Sequence, residues 1–108
     1  MRDFVTVAAL ADLPPGTRTT VDVDGIWIAL SNVAGTVFAM DNTCPHAGGP
    51  LGEGKLNGGV LECPWHGWKF DVKTGQRVNN PNFTVACCEV RVVEGQIQIK
   101  LPEDMSAF

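Results

Sequence analysis

The chain of 108 residues contains no tyrosine, only two histidines and only four cysteines. Charge is sparse: 19% of residues are Asp, Glu, Lys or Arg, and the net charge is −4. No basic stretch is available to neutralise phosphates, so nucleic acid is excluded as the main partner. No apolar run approaches the roughly 20 residues that a membrane helix needs. The expectation is a soluble, cytoplasmic protein with no membrane partner. The N-terminal "FVTVAALA" is short and leads into "DLPPG" rather than a small-residue cleavage site, so it reads as an edge strand and not as a secretory signal. Without such a signal, Cys44, Cys63, Cys87 and Cys88 are expected to be reduced thiols or metal ligands rather than disulfides.

What is present is an ordinary globular balance, 44% hydrophobic, in a chain expected to form a single domain, 1–108. A chain of this length buries roughly 65% of its unfolded surface, enough for a core without cross-links. Short strand-like runs dominate. "TRTTVDV" and "IWIAL" flank Asp24-Gly25, a two-residue hairpin signal, and "TVFAM" follows Ala34-Gly35. "VLEC" and "WKFD" bracket a Cys/His segment, and "TVACCEVRVV" and "QIQIKL" flank Glu94-Gly95. A helical pattern is suggested only near Val7 to Leu13, where Pro14-Pro15 ends it. The pattern predicts an all-β fold. Residues 42–59 break it with six glycines and two prolines. Such a stretch is not expected to hold a strand, but it lets the backbone approach a bound group closely. The last residues, 102–108, read as a loose tail.

Both histidines fall in two segments, "TCPHAGG" (43–49) and "CPWHGWKF" (63–70). Together Cys44, His46, Cys63 and His66 write C-x-H-x16-C-x2-H. Two soft thiolates and two imidazoles suit zinc or an iron–sulfur cluster. Structural zinc sites favour paired-Cys knuckles, whereas here each segment mixes one Cys with one His. A tight C-x-H would have to aim both side chains at one zinc ion. A binuclear cluster removes that demand, because each segment can serve both metals.

"CPHAGGPLG" with "CPWHGWKFD" resembles the Rieske iron–sulfur proteins, and the size resembles the Rieske-type ferredoxins of the low-potential branch. The resemblance implies the Rieske fold: three small antiparallel sheets, with a cluster-binding subdomain at about 42–81 inserted in a base built from both chain ends. It implies one [2Fe-2S] cluster, with Cys44 and Cys63 on one iron and His46 and His66 on the other. Two ferric ions, two sulfides and two thiolates sum to zero charge, so an electron adds more easily than to an all-Cys cluster. In the respiratory branch two further cysteines clamp the loops; here those positions are Gly49 and Trp65. A Ser that donates to a sulfide is here Trp68, and a Tyr donor is impossible. Fewer donors imply a potential near the lower end of the family range, about −150 mV.

The resemblance further implies a one-electron carrier rather than an enzyme. Its expected partners are an NAD(P)H-dependent flavoprotein reductase and a terminal oxygenase of the aromatic-ring-hydroxylating type, with a monomer as the expected state. The alternative is the small Rieske-like subunit of an assimilatory nitrite reductase. A catalytic oxygenase subunit is disfavoured, since no histidine is spare for a mononuclear iron site. Elsewhere, Trp65 reads equally as a docking contact or as a ring shielding the cluster from water. Trp68 and Phe70 are expected to pack beneath the cluster, and Trp27 in the core. Adjacent residues on a strand face opposite sides, so one of Cys87 and Cys88 should be buried and inert. Asp22, Asp24, Glu53, Glu89, Glu94, Glu103 and Asp104 read as solvated surface that could steer a partner.

Overall fold

The computed structural model describes residues 3–45, 48–65 and 67–102. Among these residues eleven antiparallel strands run in chain order: β1 Val5–Ala9, β2 Arg18–Val23, β3 Ile26–Val33, β4 Thr36–Asp41, β5 Lys55–Asn57, β6 Val60–Glu62, β7 Lys69–Asp71, β8 Gln76–Arg77, β9 Asn80–Thr84, β10 Cys87–Val93 and β11 Gln96–Lys100. They form a six-stranded sheet ordered β1-β11-β10-β4-β3-β2 and a five-stranded sheet ordered β5-β6-β7-β8-β9. The larger sheet is two ladders sharing β10. Cys87 and Cys88 pair with Met40 and Ala39 of β4, whereas Glu89 to Val93 pair with β11. The three sheets implied by the resemblance are therefore two ladders joined through one strand, plus the five-stranded sheet.

Turn chemistry explains the hairpins. Asp24-Gly25, Ala34-Gly35 and Glu94-Gly95 all have positive φ at both positions, the conformation whose twist matches that of the flanking strands. At Val7–Leu13 the structure corrects the helical expectation. Residues 7–9 belong to β1, and only Leu10–Asp12 form a 3-10 turn. Three residues before a Pro-Pro pair are too few to nucleate an α-helix. The run "TVACCEVRVV" is also divided. Thr84 ends β9 in the smaller sheet, and Cys87 opens β10 in the larger one. The glycine-rich stretch does hold a strand, β5, because Lys55–Asn57 pair with β6 between two pairs of glycines.

Two cores lie on opposite faces of β3, β4 and the start of β10. Ile28, Leu30, Ala39 and Cys88 join Ile97 and Ile99 in the base core. Their neighbours Ala29 and Met40 join Cys44, Leu51, Leu61, Cys63, Phe70 and Val72 in the second core. Strands buried on both faces read as continuous apolar runs, which accounts for "IWIAL". Trp27 departs from its expected place. It shares the face of Ala29, but it is 54% exposed because it lies at the strand's start, past the cover of the second core. Its ring borders a groove lined also by Arg18, Asn42, Pro50 and Glu53.

Candidate metal centre

Two loops carry the Cys/His pattern, and they close in the same way. In the first, the Cys44 N–H donates to Gly49 O at 3.0 Å and the Gly48 N–H donates to Cys44 O at 2.8 Å. In the second, the Cys63 N–H donates to Trp68 O at 2.7 Å and the Gly67 N–H donates to Cys63 O at 3.1 Å. Each cysteine thus binds the residue five positions on through its N–H, and the residue four positions on through its C=O. The fifth residue of each loop is a glycine at φ +75° (Gly48) or +76° (Gly67), a conformation costly for residues with a Cβ. The repeated geometry makes the loops twins, although the spacings C-x-H and C-x2-H differ.

The loops are anchored from below. Loop one leaves β4 through Asn42, which is buried. Its Oδ1 accepts from the Gly52 N–H at 2.6 Å, and its backbone N–H donates to Trp27 O at 3.0 Å. Arg18 of β2 donates through Nε to Gly54 O at 2.6 Å, tying the far end of the loop to the base. The second loop is the connection of the β6–β7 hairpin, whose last pair is Glu62 with Lys69.

Cys44 and Cys63 are each 1% exposed and sit in one apolar cluster with Phe70, Leu51 and Leu61. All four cysteines lie among the described residues, and none forms a disulfide. The loops touch at Gly49, where an added Cβ would stand 2.7 Å from Cys63 Sγ and 3.1 Å from the Trp65 ring. Trp65 therefore lies against the first loop yet remains 57% exposed. It packs on one side against the first loop and presents the other to solvent. His46 and His66 lie outside the described residues.

Trp68 is half-buried and packs on the second core, which also holds Cys44 and Cys63. Its ring meets Phe83 edge-on at 4.9 Å and lies 6.5 Å from Phe70. The Arg77 guanidinium sits 3.4 Å above the Trp68 ring, a contact invisible in the sequence. Cys88 is buried in the base core, while Cys87 is half-buried against the second core. Burial, and after it the charge of Asp71, pushes the Cys87 thiol pKa up. Asp22, Asp24, Glu53, Glu89 and Glu94 are exposed; Glu103 and Asp104 lie outside the described residues.

Two buried thiols on twin loops, brought together where one backbone lacks a side chain, fit a compact binuclear iron–sulfur group. The class of protein this defines is an all-β iron–sulfur carrier domain. The Rieske [2Fe-2S] domain family matches residues 3–94. The chain belongs to that family, and its cofactor is a Rieske-type [2Fe-2S] cluster. It is 39% identical over 80 residues to the ferredoxin component of the naphthalene 1,2-dioxygenase/salicylate 5-hydroxylase systems of Ralstonia sp., covering 74% of this chain and 77% of that one. The ferredoxin of carbazole 1,9a-dioxygenase from Nocardioides aromaticivorans IC177 superposes with a TM-score of 0.83 at 33% identity, covering 89% of this chain and 95% of that one. A chain assigned as an NADH-dependent nitrite reductase small subunit from Mycobacterium tuberculosis superposes with a TM-score of 0.84 at 27% identity, covering 94% and 97%.

Proposed function

We propose that this chain is the ferredoxin component of a multicomponent oxygenase system. It takes one electron from an NAD(P)H-dependent flavoprotein reductase and delivers it to a terminal oxygenase of the aromatic-ring-hydroxylating type. The chain is an electron-transfer component and not itself a catalyst. The single observation that carries the reading is the pair of twin loops: two buried cysteines, with the exposed indole of Trp65 against the first loop, on a chain similar in sequence to oxygenase ferredoxins.

In this reading Cys44, His46, Cys63 and His66 are the ligands, 1–108 is a single domain with the cluster-binding part at about 42–81, and the protein acts as a cytoplasmic monomer. When bound, the cluster supplies a reversible one-electron couple. The chain's residues do the rest. Phe70, Leu51 and Leu61 keep water from the thiolates, the backbone bonds fix the loop shapes, and Trp65 offers a contact edge. A carrier must dock and leave, so its contact is small and partly electrostatic. Exposed Asp22 and Asp24 on the β2–β3 hairpin, with Glu53 after the first loop, supply a negative field for a basic partner surface.

The test is reduction of a cognate oxygenase by the holoprotein at rising salt. The transfer rate should fall steeply as the field is screened. Trp65→Ala should slow transfer several-fold while the cluster stays intact. A complex that co-purifies with a reductase subunit at fixed stoichiometry, and is indifferent to salt, would instead make the chain a permanent subunit of the nitrite reductase kind.

A further inference from the structure

We propose that Arg77 is a positioning residue for the second ligand loop and that its charge sets how readily the cluster accepts an electron. This rests on the ferredoxin reading above. Arg77 closes β8, pairing with Phe70 of β7 and Asn80 of β9. It is half-buried, and its guanidinium lies 3.4 Å from the Trp68 ring centroid and 5.9 Å from that of Phe83. Phe83 meets Trp68 edge-on, so the indole is held by a cation on one contact and a ring on another. Among the described residues no carboxylate is paired with Arg77. The other charged residue lining the same groove is Lys69, also a cation, beside Gly67, Val78, Asn79 and Asn80; the carboxylate that reaches this loop is that of Glu62, the cross-strand partner of Lys69, with Oε2 3.7 Å from the Cβ position of Gly67.

Trp68 is part of the loop and not a bystander. Its carbonyl accepts the Cys63 N–H at 2.7 Å, and it follows His66 by two residues. Fixing the indole therefore fixes the backbone that shapes the ligand loop. A guanidinium held over the ring keeps its full charge close to that loop. The cluster gains one negative charge on reduction. A fixed positive charge stabilises the reduced form more than the oxidised one, attenuated by Arg77's partial exposure. In an acidic chain with no tyrosine, and with Lys69 facing the Glu62 carboxylate across the hairpin, Arg77 supplies the positive charge stacked on the loop.

The experiment is redox titration of purified holoproteins carrying Arg77→Gln, Arg77→Met and Arg77→Lys, each checked by the magnetic resonance signal of the reduced cluster. Gln and Met remove the charge but keep a side chain over the indole. They should weaken electron uptake about three- to tenfold, tenfold corresponding to 59 mV for a one-electron couple. Lys keeps the charge and should stay within about twofold of the parent. If Gln does not retain the cluster, Met carries the comparison. If Met fails as well, the proposal stands only if Lys restores both cluster and potential, and loss in all three overturns the charge role. A normal signal with an unchanged potential in Gln or Met overturns it too. Failure of the ferredoxin reading looks different, because the parent protein itself would then lack the Rieske signal.

Discussion

At Gly49 the two ligand loops approach until no room remains for a methyl group. An added Cβ would stand 2.7 Å from Cys63 Sγ, well inside van der Waals contact. Gly59, at the β5–β6 turn, has nothing within 4 Å of its Cβ position. Gly49→Ala should therefore cost about 1–3 kcal/mol through overpacking, and it should push the Cys63 side chain from its place. Gly59→Ala should stay within about 0.5 kcal/mol, as open surface sites do. Denaturant unfolding of the two holoproteins, with iron retention measured alongside, makes the comparison; equal midpoints would show that the loops do not depend on this contact. Much at this scale was legible in the sequence. The Cys/His spacing and the glycines announced the loops, because metal ligation and close backbone approach restrict residue types locally. Arg18, Asn42 and Arg77 were not legible. Arg18 reaches Gly54 O across 36 residues, Asn42 meets Gly52 and Arg77 meets Trp68 only once the intervening turns have formed, and nothing in the residues beside them marks the partner.

Among the elements, β10 carries the most consequence. Its first two residues pair with β4 and the rest with β11, so Cys87 and Cys88 stand at a joint between two ladders. Strand alternation then sends Cys88 into the base core and Cys87 toward the second core. The sequence announced the alternation but not the second core, since a strand buried on both faces needs a partner sheet that local pattern does not reveal. The same holds in reverse for Trp27, which looked apolar and central but lies where the covering loop ends. Burial, with Asp71 second, raises the Cys87 pKa, so the folded thiol keeps its proton longer than the unfolded one. The stabilisation this gives is fully present below the ordinary thiol pKa and is lost as pH rises through the folded value. Iodoacetamide at mildly alkaline pH should label Cys87 at least tenfold more slowly in the folded protein than in the unfolded chain, because the thiolate is the reacting form. Peptide mass mapping reads this directly; equal rates would contradict the burial.

The whole molecule is a base sheet whose central strands are covered on one face by the base core and on the other by the sheet that bears the loops. This arrangement places two cysteines, distant by 19 residues in sequence, in one apolar cluster at the connecting end of the β6–β7 hairpin. The fold class could be inferred from the turn signals and short strands, and the family from the two loop motifs. The joining of the ladders through β10 could not, because it depends on where one strand changes partners. The central claim is that the twin loops hold a binuclear iron–sulfur group with mixed Cys and His ligation. Iron and acid-labile sulfide analysis of the purified protein, joined to magnetic resonance of the reduced state, tests it most directly. Two irons and two sulfides per chain should be found, with a Rieske-type signal that is lost when His66 is replaced by Ala. One equivalent of zinc, with no labile sulfide, would contradict the account.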